Sequence, residues 1–327
     1  MGKLFSVITL TYTNFKHLKE TILSVCAQDY HDIEYIICDD GSKDFPEEQI
    51  INWIENNKGP NLRQYKIFQQ TDNVGTVRNI NYAYKHAAGD YFLNLSCGDV
   101  FFEKQTVSKI AEYMINKDLK MLVTSRLLYT GEFVPVGLIP HYNERASFYD
   151  MGSREAQVLE FLKTRMYGMA SGSVLCSSKT IMEELGYFDE RYTLLEDGPL
   201  LAKYLKKYKL DCYPGLISIW YEQGGISTGG IKELSPILQK DTKLFNENEE
   251  LGIRQSLSLQ EKRKKQFIKI RREAKTKRQK VFCYIRYPFQ AVSFLEQKLK
   301  DRSMRIMDMP AIKKAMAERA QAAVDGC

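Results

Sequence analysis

Polar clusters follow three apolar runs early in the sequence, and an adjacent pair of acids lies further along the chain. The clusters are Thr11-Tyr12, Asp39-Asp40-Gly41-Ser42 and Ser96-Cys97-Gly98-Asp99, and the acidic pair is Glu196-Asp197. A carboxylate can hold a divalent cation, and it can also act as a general base. These four positions are therefore the candidates for chemistry in this chain.

The segments that must position the clusters alternate between strand and helix patterns. Strands are predicted at Leu4–Thr11, Ile33–Cys38, Gln64–Gln69 and Tyr91–Leu95, and helices after Asn14, from Pro46 and over Gly75–Ala88. Asn14 is expected to cap the first helix, because apolar residues recur after it at spacings of three and four. The alternation predicts a parallel, doubly wound α/β sheet, in which ligands bind beyond the carboxyl ends of the strands.

The pattern changes after residue 120. The sequence predicts a hairpin over Lys120–Pro140 with a turn at Thr130-Gly131, helices at Ser153–Thr164, at Ser178–Leu185 and after Glu196, and strands at Gly172–Cys176 and Cys212–Tyr221. Beyond Ile231 the pattern is helical. We therefore expect a mostly parallel sheet flanked by helices, followed by a helical C-terminal extension.

Length and composition limit the class of protein. The chain has 327 residues, of which 44% are hydrophobic and 27% charged, which suits one large catalytic domain with an appendage. No apolar run reaches the ~18 residues of a membrane span, and the start of the sequence lacks the features of a signal peptide. Seven cysteines without a Cys-x-x-Cys pair indicate reduced thiols. We expect a cytoplasmic protein that begins at Met1.

The positive charge is concentrated in one segment. Glu261–Lys280 carries eleven Lys/Arg and two Glu, a net charge of +9, although the whole chain has only +6. Aromatic and aliphatic residues follow directly, and such residues beside cations suit the headgroup region of an anionic membrane. Residues 261–300 are therefore a candidate membrane contact. Packing on the catalytic domain and helix pairing in a homo-oligomer are open alternatives, whereas a nucleic-acid arm is not expected.

Five segments, in this order, resemble the family 2 glycosyltransferases of bacterial polysaccharide synthesis. They are Ser6–Tyr12, Glu34–Ser42 (EYIICDDGS), Asn73–Asn79 (NVGTVRN), Gly89–Phe101 (GDYFLNLSCGDVF) and Gly186–Leu200 (GYFDERYTLLEDGPL). The resemblance implies a GT-A fold that binds a nucleotide-activated sugar. It also implies a catalytic domain at residues 1–230, with a nucleotide-sugar half at 1–101 and an acceptor half at 102–230, and an extension at 231–327.

The resemblance implies a metal site at Asp99, which matches the family's metal-binding position. Asp99 would hold Mn²⁺ or Mg²⁺ together with the donor diphosphate, and the cation would offset the charge on the leaving group. The family commonly has two or three aspartates in this turn, and this chain keeps one. One can suffice, because Mg²⁺ takes one or two protein carboxylates along with phosphates and water. The alternative is that Asp99 only caps the helix expected to follow.

Further residues match the family's donor site. Asp40 matches the aspartate that accepts the N–H of the pyrimidine ring, with Asp39 as a structural neighbour. Thr11 and Tyr12 match the loop that packs against the base and ribose. Arg78 matches a basic position that faces the donor phosphates. A guanidinium suits this position because it binds phosphate oxygens well. The alternative for Arg78 is a surface arginine.

The acidic pair matches the family's catalytic base. Asp197 is the favoured base, and Glu196 would orient its neighbours or the acceptor. Attack from the face opposite the phosphate would invert the anomeric carbon. The alternative is that the pair only stabilises a helix N-terminus. Gln223–Ser227 (QGGIS) resembles a loop that closes over the donor, and an ordinary turn is the alternative there.

The sequence therefore predicts an inverting glycosyltransferase that uses a nucleotide-sugar, a UDP-sugar above others. Its acceptor would be a lipid-linked glycan or a polysaccharide such as a capsule or O-antigen. An enzyme with such an acceptor is expected on the inner face of the plasma membrane. A nucleotidyltransferase is one rival, but LTYTNFKH after the first strand lacks the glycine run that such an enzyme needs. A catalytically degenerate binding or assembly module is the other rival, because the metal turn has few acids.

Overall fold

The computed structural model describes residues 2–130, 134–139, 148–149, 153–164, 171–222, 235–250, 259–296 and 299. Within these ranges one sheet is formed by β1 (Phe5–Thr11), β2 (Ile33–Asp39), β3 (Leu62–Gln69), β4 (Tyr91–Asn94), β5 (Val100–Phe101), β6 (Met121–Thr130), β7 (Val134–Ile139), β8 (Leu175–Ser178) and β9 (Asp211–Glu222). The strand order is β3-β2-β1-β4-β8-β6-β9-β5, and β7 pairs with β6 outside this path.

Helices connect these strands and follow them. They are α1 (Leu18–Cys26), α2 (Glu47–Asn57), α3 (Thr76–His86), α4 (Thr106–Asn116), α5 (Arg154–Thr164), α6 (Lys179–Leu185), α7 (Asp197–Leu205), α8 (Pro236–Phe245), α9 (Leu259–Glu273) and α10 (Lys277–Arg286). Of the helices in the described ranges, none combines the length and the apolar character that a bilayer crossing requires.

The first half of the sheet is parallel, as predicted. β1 pairs in parallel with β2 and with β4, and β2 pairs in parallel with β3. The residues of β1 and β2 are nearly all buried, which is typical of parallel strands covered on both faces. In the register, Thr11 lies opposite Asp39, and Ile8 lies opposite Asn94. The carboxyl ends of β1, β2 and β4 therefore lie side by side.

The second half of the sheet is mixed. β8 pairs antiparallel with both β4 and β6, while β6 and β9 run parallel to each other. β5 pairs antiparallel with β9. The predicted α/β class is confirmed, and the sheet departs from uniform parallel order where β8 joins β4 in the opposite direction.

Two local predictions are wrong. Asn14 does not cap α1, which begins at Leu18, because the chain first makes a turn in which the Asn14 N–H donates to the Tyr12 carbonyl at 2.6 Å. The strand predicted from residue 172 begins at Leu175, because Gly172–Val174 forms a short 3₁₀ turn. Both differences occur beside the edge of the sheet where the polar clusters lie.

The residues after 231 divide between two cores. Phe245 of α8 is 1% exposed and belongs to the main core around the sheet. α9, α10 and the helical residues 288–296 share a separate small core of Phe267, Cys283 and Ala291. The domain boundary at residue 231 stays a prediction, but Phe245 joins α8 to the core around the sheet.

Candidate active site

A cleft of about 440 Å³ lies at the carboxyl ends of β1, β2 and β4. The predicted site residues that line it are Thr11, Tyr12, Asp40, Asp99, Glu196 and Asp197. Residues that the sequence did not suggest line it too, among them Asn79, Ser171, Gly172, Ser173 and Tyr221. The fold thus brings three acids that are distant in sequence, Asp40, Asp99 and Asp197, to one cleft.

Two sides of the cleft can be distinguished by the elements that carry them. The strand-end side consists of Thr11, Tyr12, Asp40 and Asp99, which end or follow strands of the parallel half of the sheet. The acidic-pair side consists of Gly172, Ser173, Glu196 and Asp197, which come from the mixed half and the start of α7.

The two aspartates at the end of β2 play different structural parts. Asp39 is fully buried and accepts a hydrogen bond from the backbone N–H of Ser42 at 2.6 Å, which closes the turn. Asp40 accepts hydrogen bonds from the backbone N–H groups of Val74 (2.8 Å) and Gly75 (3.0 Å). Burial raises the pKa of Asp40, and these two hydrogen bonds oppose part of the rise. Asp39 therefore holds the turn, while Asp40 faces the cleft.

The two residues at the end of β1 differ in what they offer a ligand. The hydroxyl of Thr11 donates to Asp39 at 2.8 Å, and Thr11 is 4% exposed. Tyr12 is 49% exposed. The ring of Tyr12 is therefore the accessible surface of this pair.

The turn that carries Asp99 is held from two neighbouring elements. Thr21 of α1 accepts from the N–H of Gly98 (3.1 Å) and donates to the carbonyl of Asp99 (2.8 Å). The buried hydroxyl of Tyr129 on β6 donates to the carbonyl of Gly98 at 2.5 Å. Asp99 is 2% exposed and is followed by strand β5, so the alternative in which it caps a helix is wrong.

Glu196 and Asp197 lie at the start of α7, are half-buried and line the cleft. Burial raises the pKa of Asp197, while a hydrogen bond from the Gly198 N–H (2.7 Å) and the charge of Arg126 oppose part of the rise. Burial also raises the pKa of Glu196, and the neighbouring charge of Asp197 raises it further. A carboxylate whose pKa is shifted toward neutral pH is well suited to general base catalysis.

Arg126 is a charged residue of this site that the sequence did not single out. It is 4% exposed on β6, and its guanidinium lies over the ring of Tyr221, 4.3 Å from the ring centre. It donates hydrogen bonds to the hydroxyls of Ser171 and Ser173. A lone arginine inside the apolar run MLVTSRLLY was the only available signal. Arg126 supports the loop of Ser171–Ser173 and supplies a positive charge near Asp197.

One predicted donor-site residue does not line the cleft. Arg78 lies on the exposed face of α3 and is not among the residues that line the cleft; its side chain is 62% exposed, and its Nε is 3.9 Å from Glu190. Its contact with donor phosphates stays a prediction. Asn79, the next residue, does line the cleft. The glycine-rich segment Gln223–Ser227 lies outside the described residues.

The oxygen atoms that the cleft offers suit a hard cation that binds together with a phosphate ligand. No cluster of three or more His, Cys, Asp or Glu side chains forms a metal site in the part of the chain that the structure describes. Asp99 provides one buried carboxylate at the cleft, and oxygen is the ligand that Mg²⁺ and Mn²⁺ prefer. One carboxylate is enough where a diphosphate supplies further oxygens.

The family profile and the relatives that match this sequence are all described as glycosyltransferases. The sequence profile described as "Glycosyl transferase family 2" matches residues 6–174, just over half of the chain. An uncharacterized glycosyltransferase of Rickettsia felis is 25% identical over 269 residues, which cover 82% of this chain and 40% of that protein. One of Haemophilus influenzae is 33% identical over 118 residues, 36% of this chain and 45% of that protein. The chain spans less than half the length of these two relatives.

Comparison with solved structures supports the fold. The crystal structure of Staphylococcus aureus TarS, residues 1–349, in complex with UDP-GlcNAc is similar with a TM-score of 0.55 and 20% sequence identity. The match covers 82% of this chain and 72% of the TarS chain. At this level of identity the match shows the fold alone.

Proposed function

The chain belongs to glycosyl transferase family 2 and has a GT-A fold, and from this premise we propose that it transfers a sugar from a nucleotide-sugar to an acceptor hydroxyl with inversion at the anomeric carbon. One observation carries the proposal: Asp40, Asp99 and Asp197 line the same cleft. A nucleotide-sugar needs contacts at its base, its diphosphate and its sugar, and these three acids supply one group for each.

The strand-end side of the cleft would bind the nucleotide. Asp40 would accept the N–H of a pyrimidine ring, and the exposed ring of Tyr12 would pack against the base. Asp99 would hold Mn²⁺ or Mg²⁺ with the donor diphosphate, and the cation would offset the charge on the leaving group. UDP-sugars are the first donors to test, because the similarly folded TarS was crystallised with UDP-GlcNAc.

The acidic-pair side would perform proton transfer. In the proposed reaction the acceptor oxygen bonds to the anomeric carbon while the bond from that carbon to the diphosphate oxygen breaks. Asp197 takes the proton of the attacking hydroxyl, which is general base catalysis. Attack from the face opposite the diphosphate inverts the anomeric carbon. Glu196, beside the base, would orient the acceptor.

Turnover of the donor tests this function. We expect purified protein with Mn²⁺ to release UDP slowly from one member of a UDP-sugar panel without acceptor, and Asp99→Ala to lose this release. Asp44→Asn, a change of an exposed aspartate, is the control that should retain it. Binding of UDP by all variants without any turnover would favour the binding-module alternative. A protein that binds no UDP under any metal condition would contradict the proposal.

We also propose that the C-terminal helices attach the enzyme to an anionic membrane surface, which would bring it to a lipid-linked acceptor. Large apolar side chains that are 48–82% exposed are concentrated between residues 281 and 299: Val281, Phe282, Ile285, Phe289, Val292, Leu295 and Leu299. On α10, Val281 and Ile285 lie on the side opposite the buried Cys283. The cytoplasmic leaflet has a negative surface potential, which favours this location.

Charge decides between a membrane and a second copy of the chain. The segment Glu261–Lys280 has a net charge of +9, and two copies facing each other would bring like charges together. An anionic lipid surface complements that charge, with a gain of ~1 kcal/mol for each cation near the surface. The charge pattern therefore favours lipid over homo-oligomerisation.

Sedimentation with vesicles tests the membrane contact in the full-length protein. We expect co-sedimentation with phosphatidylglycerol vesicles but not with phosphatidylcholine vesicles, and its loss in the double variant Ile285→Ser/Phe289→Ser. The control Ile51→Ser/Ile115→Ser changes exposed apolar residues on other helices and should sediment as the wild type does. Equal sedimentation of both double variants would contradict the membrane contact. If the wild type is then found to be a dimer and Ile285→Ser/Phe289→Ser alone is a monomer, homo-oligomerisation is supported instead.

A further inference from the structure

Helix α8 carries a buried carboxylate that bonds to the loop before the acidic pair. Asp241 is 2% exposed. One of its oxygens, Oδ2, accepts hydrogen bonds from three consecutive backbone N–H groups, those of Thr193 (2.9 Å), Leu194 (2.6 Å) and Leu195 (3.1 Å). Hydrogen bonds to an ionised oxygen are roughly twice as strong as those between neutral groups. A single side chain therefore fixes three successive peptide groups.

The loop that Asp241 holds leads directly to the proposed base. Leu195 is followed by Glu196 and then by Asp197, so the peptide groups bonded to Asp241 end one residue before the acidic pair. Leu194 and Leu195 themselves line the cleft. A shift of this loop would consequently move Asp197 relative to a bound sugar.

The same loop also contacts the segment bonded to Asp40. The carbonyl of Thr193 accepts from the N–H of Val77 at 3.1 Å. At Gly75 the fit is so close that an added Cβ would lie 2.6 Å from the methyl group of Thr193. Since Asp40 accepts from the N–H of Gly75, the peptide of Thr193 lies between the two sides of the cleft.

We infer that Asp241 is a positioning residue of the transfer reaction. It acts through the loop Thr193–Leu195, which it locks in the one arrangement that presents Asp197 to the donor. This role rests on the proposed function for its effect on turnover, while the anchoring of the loop does not. With this role, α8 contributes to catalysis although it follows the domain boundary predicted at residue 231.

Two substitutions and a control on the same helix separate positioning from general stability. Asp241→Asn keeps the size of the side chain and removes its charge, and Asp241→Ala removes the acceptor altogether. Lys243→Gln is the control, because the Lys243 side chain is 78% exposed. All three are compared with the wild type by hydrogen–deuterium exchange, by calorimetric titration with UDP and by turnover of the donor.

The exchange measurement tests the anchor whether or not a substrate is known. We expect the amides of Thr193–Leu195 to exchange at least about tenfold faster in Asp241→Ala, while those of β1 and β2 are unchanged. Lys243→Gln should behave as the wild type does. Unchanged exchange at Thr193–Leu195 in Asp241→Ala would overturn the inference, even if the wild type transfers no sugar. Absence of turnover in the wild type would overturn the proposed function alone.

A double-mutant comparison tests whether the effect passes through the base. We expect Asp241→Asn to lower kcat by roughly 10- to 100-fold, because misplacing a catalytic group by about 1 Å can cost that much. The Kd for UDP should change by less than about threefold. When Asp241→Asn is added to Asp197→Asn, kcat should fall by less than about threefold relative to Asp197→Asn alone, since the base is already absent. Full additivity of the two losses would contradict a positioning role.

Discussion

The two sides of the cleft are assembled by different means. The strand-end side is placed by the sheet itself, because the parallel register of β1, β2 and β4 sets their carboxyl ends beside one another. The acidic-pair side is placed by residues from separate elements: Gly172 before β8, Arg126 on β6 and Asp241 on α8. Backbone pairing thus sets the strand ends from which the donor-binding residues extend, although Thr21 and Tyr129 also hold the turn of Asp99. The residues assigned to proton transfer depend on side-chain contacts from separate elements.

The difference predicts that the two sides can be damaged separately. Changes on the strand-end side should weaken binding of the nucleotide. Changes on the acidic-pair side should lower turnover while nucleotide binding persists.

The largest effect should come from the base itself. Asp197→Asn removes the proton acceptor, and we expect transfer to fall by about 10²- to 10⁴-fold, the usual contribution of general acid–base catalysis. The Kd for UDP should stay at the wild-type value, because the change lies away from the proposed nucleotide contacts. Product formation and calorimetric titration measure the two quantities. Unchanged transfer would move the base to another residue.

Asp40→Ala should have the opposite signature. It removes a proposed contact with the nucleotide base, and it leaves the N–H of Val74 without its acceptor. The N–H of Gly75 keeps a second acceptor, Oδ1 of Asn73 at 3.1 Å. A pyrimidine N–H that is buried in the cleft without its acceptor costs about 1–3 kcal/mol, so we expect UDP to bind about 10- to 100-fold more weakly. The kcat at saturating donor should change less than the Kd. Wild-type affinity in this variant would remove Asp40 from the nucleotide site.

The pH dependence of transfer should respond to Arg126. A base works in its ionised form, so transfer should rise with pH through the raised pKa of Asp197. The charge of Arg126 lowers that pKa, and its removal in Arg126→Gln should move the acidic limb of the pH–rate profile to higher pH. Arg126→Lys keeps the charge and should keep the limb near its wild-type position. A limb at the same pH in Arg126→Gln would show that Arg126 does not act on the base.

The smallest effect is expected at Gly172. An added Cβ would lie 3.2 Å from Oε1 of Glu196, so Gly172→Ala should displace that carboxylate slightly. We expect turnover to fall by about two- to fivefold with little change in the Kd for UDP. Gly59→Ala is the matched control, because its Cβ would lie 2.9 Å from the Asn61 side chain, remote from the cleft. Equal turnover in both variants would mean that Glu196 tolerates this displacement.

The strand-end side could be predicted because its signals are local in sequence. An apolar run followed by a polar turn marks a strand end, and parallel pairing then brings such ends together. For that reason the sequence predicts that Asp40 and Asp99 lie at one edge of the sheet, and both line the cleft there. Their roles in donor binding come from the family resemblance and stay predictions. Arg78 was matched to a family motif and not to a strand end; α3 buries Val77, Asn79 and Ile80, while the side chain of Arg78 is 62% exposed.

The acidic-pair side could be predicted only in part. Its two acids match a motif, but the residues that hold them act over long separations. Arg126 contacts a serine 45 residues away, and Asp241 bonds to groups 46 to 48 residues away. No period or turn in the sequence encodes such contacts, because they depend on how β6 and α8 pack against other elements.

A crystal structure of the protein with UDP and Mn²⁺ tests the central claim most directly. We expect one UDP molecule in the cleft. Its uracil should lie at Asp40, its diphosphate and the cation at Asp99, and its terminal phosphate toward Asp197. A UDP molecule bound outside this cleft, or bound within it with its uracil away from Asp40 or its diphosphate away from Asp99, would contradict the account.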